Sequence, residues 1–107
     1  MFPTKEFGKR FNEILEAMDD ILNACDLDAE TEEAFEELNA ETEDALMLLD
    51  EIDPMEKGWN EEAEDALEEL ESLCDDYQAL AEQVPDISGE IQRFRMTIGM
   101  ARSNLNG

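Results

Sequence analysis

Any chemistry in this chain has to come from carboxylates. It carries 31 Asp and Glu against 7 Lys and Arg, two Cys and no His, for a formal net charge of −24 over 107 residues. Without histidine, the commonest general base and the commonest transition-metal ligand are both missing. Cys25 and Cys74 have no imidazole to activate them, which excludes a Cys–His nucleophile. None of the five glycines falls in a G-x-x-x-x-G-K phosphate loop. No metal and no cofactor is expected, and the chain does not read as an enzyme.

Two acidic spacings resemble metal sites. Asp26, Asp28 and Glu30, with Glu37 in the twelfth place, suggest a calcium loop. The sixth place, where that loop turns on Gly, is Thr31. Glu33-x-x-Glu36 and Glu62-x-x-Asp65 look like the carboxylate spacing of all-helical nucleotide pyrophosphohydrolases of the MazG type. That resemblance implies Mg²⁺ held against a triphosphate by acids from two helices. All four residues lie off the apolar rows described next, and basic residues for the phosphates are missing nearby.

The elements that position these acids are four stretches with apolar residues in alternating steps of three and four, the seam of a packed helix. The first runs from about Lys5 to Cys25, with Thr4 as N-cap. Its seam is Phe7, Phe11, Ile14, Met18, Ile21 and Cys25, widened by Leu15 and Leu22. The second runs from about Ala29 to Ile52, with Asp28 as N-cap. Phe35, Leu38, Thr42, Ala45, Leu49 and Ile52 form its seam, and Ala34, Leu46 and Leu48 widen it. Asp53-Pro54 stops it, because the residue before proline is pushed out of the helical region.

The third stretch runs from about Trp59 to Val84, through Ala63, Ala66, Leu70, Leu73, Tyr77, and Leu80 or Ala81, with Leu67 and Cys74 beside the seam. The fourth runs from about Ser88 to Leu105, capped by Asp86 or Ser88, with Ile87, Ile91, Phe94, Ile98, Ala101 and Leu105 as its seam. Asn106-Gly107 reads as a frayed end.

Short connections make neighbouring helices antiparallel. The fold expected is all-α: one domain over residues 1–107, an antiparallel four-helix bundle in up-down-up-down order. A three-helix bundle with the fourth helix swapped onto a partner is the alternative. Cys25 and Cys74 are expected as buried, reduced thiols. No apolar run approaches the ~20 residues that cross a bilayer and no signal core is visible at the N-terminus, so a cytoplasmic location is expected.

The charge is concentrated. Between Asp26 and Asp86 there are 25 acidic residues and the single base Lys57, whereas the segments on either side are nearly balanced. A sequence selected only to fold would interleave lysine, because like charges four apart on a helix cost stability. This excess excludes binding to nucleic acid or to an anionic membrane through a basic patch, and the attractive partner is a basic protein. Spread along a helix ~35 Å long, the excess approaches one charge per ~1.5 Å, against about one per 1.7 Å in B-DNA.

In its acidic middle, helical pattern and small size, the chain resembles the small acidic DNA-mimic inhibitors of phages and bacteria. Some of those block restriction systems, CRISPR effectors or nucleoid proteins. The resemblance is one of composition and carries no motif. It implies a protein that occupies the nucleic-acid-binding groove of a basic partner. The contact residues expected from the uncompensated charge are Glu33, Glu36, Glu37, Glu62, Asp65, Glu68, Glu69 and Asp76. An immunity protein or chaperone for a basic toxin or secreted effector satisfies the same charge argument. Met96 and Met100, off the main seam of the fourth helix beside Gly99, form a candidate homodimer face or ordinary core filling. Trp59 reads as a cap on the end of the core or as an aromatic anchor.

Overall fold

A computed structural model describes the backbone of residues 4–106 and the side chains of residues 5–105. Four helices span Thr4–Ala24 (α1), Ala29–Asp50 (α2), Trp59–Leu80 (α3) and Ser88–Asn106 (α4), and a 3-10 turn, Pro85–Ile87, precedes α4. No strand occurs among the described residues.

Local chemistry sets the helix ends. Asp28, in extended backbone, caps α2, and its Oδ1 accepts the Thr31 N–H at 2.8 Å. These bonds from Thr31 hold the Asp28 carboxyl below its ordinary 3.8. Because α2 begins at Ala29, Thr31 sits inside a helix, and the 26–37 stretch does not turn as a calcium loop would. After α2, Asp53 accepts the Met55 N–H at 2.9 Å, an Asx turn. Gly58 then enters α3 at φ 86°, the one positive φ among the described residues. An added Cβ there would meet nothing within 4 Å, so it is the backbone conformation, not space, that requires glycine. The cap expected from Thr4 depends on a side chain outside the described set. Helix α3 stops at Leu80, four residues short of the expected Val84, and the chain enters α4 through the 3-10 turn.

The seams face inward. Phe7, Phe11, Ile14, Met18, Phe35, Leu49, Leu67, Leu70, Ile91, Phe94 and Ile98 are all buried. Phe11 of α1 lies 5.3 Å from Phe94 of α4, Phe94 lies 6.2 Å from Tyr77 of α3, and Tyr77 lies 6.3 Å from Phe35 of α2. One run of aromatic contacts, each in the favourable 4.5–7 Å range, thus links all four helices. Among the described residues, the backbones of α1 and α3 each run close beside those of α2 and α4, and the diagonal pairs stand further apart. Thr31 of α2 pairs with Gln83 in the turn after α3, and Asn39 and Thr42 of α2 pair with Tyr77 of α3. Across α3 and α4, Asp75 pairs with Arg95, and Glu71 and Glu64 with Arg102.

Three expectations about the core are corrected. Leu48 is not part of it: the side chain is 58% exposed. In the run Leu46-Met47-Leu48-Leu49, only Leu46 and Leu49, three apart, turn onto the buried face. Cys25 is half-buried, because α1 ends one residue earlier and leaves it in the connection. Core filling is excluded for Met96 and Met100, which are 67% and 44% exposed. Trp59 is half-buried against the end of the core, as a cap would be.

Candidate acidic interface

The outward carboxylates are positioned by helices whose inward faces are fully committed to the core. All eight expected contact residues, Glu33, Glu36, Glu37, Glu62, Asp65, Glu68, Glu69 and Asp76, are exposed. Among the described residues none of them forms an ion pair with Lys or Arg. The cations of α4 reach other acids. Arg95 bonds Asp75 at 2.6 Å, and this bond raises the Arg95 pKa. Arg102 holds Glu71 through Nη1, while its Nε lies 3.3 Å from Glu64 Oε1 without being aimed to hydrogen-bond it. At about 100° per residue, Glu64, Glu71 and Asp75 fall on one shoulder of α3 and Glu62, Asp65, Glu69 and Asp76 on the other. Arg95 and Arg102 thus offset part of the charge on one shoulder, and the other is left open, without an ion pair among the described residues.

Four of the eight fall in two separate hollows. Glu62, Asp65 and Glu69 share a groove of about 390 Å³ between α2 and α3 with Leu48, Glu51, Ile52 and Ala66. Glu36 instead borders a hollow between α1 and α2 that also takes in Asp19, Asp26 and Glu32. Glu33 and Glu36 lie 15 to 18 residues before Glu51, the acid just past the end of α2 that lines the groove with Glu62 and Asp65. That is about 22–27 Å along the helix. The two Glu-x-x-acid pairs therefore do not converge as a shared magnesium site requires. Among the described residues no group of three or more His, Cys, Asp or Glu is arranged to hold a metal.

The sequence reading did not anticipate Leu48 and Glu51 as groove residues. It also missed a buried polar chain on the inner side of the acidic helices. Tyr77 Oη donates to Asn39 Oδ1 at 2.5 Å and lies 3.2 Å from Thr42 Oγ1; Thr42 is also 2.7 Å from the Leu38 carbonyl. Each hydroxyl has one proton. With those protons given to Asn39 and Leu38, the Thr42–Tyr77 contact bonds only when one hydroxyl turns from its other acceptor. Burial pushes the Tyr77 hydroxyl up to about 12. A threonine inside an apolar seam, one turn from Leu38 and facing a tyrosine seam, was the available signal.

Both thiols are free. Cys74 is buried with Sγ 3.8 Å from the Ile91 carbonyl oxygen, and burial pushes it up to about 11. No helix among the described residues is long and apolar enough to cross a membrane. Comparison with protein-family models, curated proteins and solved structures returns no match.

Proposed function

We propose that this chain is a binding protein that covers a basic surface of another protein, in the specific form of a nucleic-acid mimic seated in a nucleic-acid-binding groove. The observation that carries this reading is the uncompensated row of carboxylates on α2 and the open shoulder of α3, backed by a core that keeps both helices in place. With a long dimension of 46 Å and a net charge of −24, the bundle averages about one net charge per 1.9 Å, close to the duplex value of about 1.7 Å. A protein that attracts DNA with a basic groove would be attracted to this surface by the same long-range field. Docking then proceeds through carboxylate–Arg and carboxylate–Lys pairs. Acids carried on packed helices lose less freedom on binding than acids on a flexible tail.

The start of α2 pairs with the turn that follows α3, early α3 pairs with late α4 and late α3 with early α4, which supports up-down-up-down order. We place the chain in the cytoplasm, where free thiols stay reduced, with no direct binding to nucleic acid or membrane and no catalytic role.

The test is capture from host lysate at low and high salt, followed by challenge with duplex DNA. Salt-sensitive capture of a nucleic-acid-binding protein that duplex DNA displaces is the expected result. Capture that duplex leaves untouched would favour an immunity protein or chaperone dedicated to one basic toxin or effector. Self-association is a second reading with its own observation. Met96 and Met100 lie exposed on an outward stripe of α4 with Gly89, Gln92, Gly99 and Ser103, which carries no carboxylate. Two copies of so acidic a chain would meet with least repulsion there. Sedimentation of the wild type against Met96→Lys with Met100→Lys reads this out: a dimer that the substitutions dissociate supports it, and a monomeric wild type sinks it.

A further inference from the structure

The α2–α3 groove sets an apolar floor among carboxylates with no lysine or arginine in its lining. Leu48 projects into it with Ile52 and Ala66 beside it, and Glu51, Glu62, Asp65 and Glu69 stand around them. Leu48 stays 58% exposed there. A single exposed leucine is ordinary on a protein surface. One that lines a concave groove together with four carboxylates puts an apolar contact and cation-binding contacts side by side.

We propose that this groove seats an apolar side chain carried on a basic segment of the partner, with lysines or arginines on either side of it reaching Glu51, Glu62, Asp65 and Glu69. The inference rests on the proposed function and names the chemistry of its contact. Charge complementarity selects the occupant. Four carboxylates repel phosphate and fatty-acid head groups, and the apolar floor offers a cation nothing to bind. A basic segment bearing one Leu, Ile, Met or Phe satisfies both halves. The consequence is specificity: a duplex has no counterpart to Leu48, so the partner is held by a contact that salt does not screen, in addition to those it does.

The test uses the full chain and two synthetic Lys-rich helical peptides of equal length and charge, one carrying leucines along one face and the other serines there. Affinities are measured by fluorescence anisotropy at low and high salt for the wild type and for Leu48→Ser. Leu48 is exposed, so the variant should keep the wild-type circular dichroism. The proposal predicts that the wild type binds the leucine peptide tenfold or more tightly than the serine peptide, the scale expected for removing one aliphatic side chain from water. It also predicts that the preference persists at high salt, and that Leu48→Ser removes it without changing binding of the serine peptide. Equal binding of both peptides by the wild type, or a preference that Leu48→Ser leaves intact, overturns the apolar seat while the charge-based reading stands. Failure of the wild type to bind either peptide overturns both.

Discussion

Tyr77 shows how much a single hydroxyl can fix inside a helical bundle. It touches Phe35 and Phe94 through its ring and Asn39 and Thr42 through its oxygen. Tyr77→Phe keeps the ring and leaves the Asn39 carbonyl oxygen without its donor. A loss of about 1–3 kcal/mol is expected, the usual cost of stranding a part-buried polar group, read by urea unfolding. Thr42→Val should cost less, because Thr42 gives its proton to a carbonyl already bonded within the helix. A second prediction at this scale concerns pH. The folded chain keeps the Cys74 proton up to about 11, whereas an ordinary thiol releases it near 9.0. Unfolding above pH 9 therefore releases a proton, so the stability contributed is complete below pH 9 and is lost as pH rises toward 11. Stability measured from pH 8 to 11 should fall, and Cys74→Ala should flatten part of that fall. In native conditions iodoacetamide should modify half-buried Cys25 well before Cys74.

At the scale of the element, α4 acts as the counter-charge for one side of α3. Arg95 and Arg102 reach Asp75, Glu71 and Glu64, and these pairs are partly exposed. Replacing both arginines by alanine should lower stability by roughly 1–2 kcal/mol at low salt, with the loss shrinking at high salt, as expected for solvent-screened pairs. An equal loss at both salts would mean that the packing of the arginine stems, not their charge, is what α3 uses. The elements were the most legible part of the sequence. Steps of three and four located all four helices and the Asp28 cap set the start of α2, while α2 and α3 end at Asp50 and Leu80, short of the expected Ile52 and Val84. Where the reading slipped, periodicity had two acceptable answers. Leu48 and Leu49 both continue an apolar rhythm, and only the position of α3 decides which is covered. Val84 fits the α3 seam and is buried, yet the chain leaves the helix before reaching it. The acids were correctly read as outward-facing. That Glu62, Asp65 and Glu69 share the α2–α3 groove while Glu36 borders the α1–α2 hollow was not legible, because that depends on which neighbour each helix shoulder meets.

For the whole molecule, a net charge of −24 on a bundle this small opposes its own folding. Raising salt from about 0.01 M to 1 M shortens the screening length from about 30 Å to 3 Å. Thermal unfolding should accordingly move up by about 5 °C or more, the shift that about 1 kcal/mol produces in a domain of this size. A midpoint that does not move would mean the charges are already compensated in solution, contrary to the open shoulder of α3. The same surface supplies the most direct test of function. The measurement is the affinity for the captured partner of the wild type and of a Glu62→Lys, Asp65→Lys, Glu69→Lys variant, from about 50 to 200 mM salt, with circular dichroism confirming equal helix content. The account predicts that the wild type weakens steeply with salt and that the variant loses binding at every salt concentration. An intact variant that binds as tightly as the wild type, with the same salt slope, would contradict it.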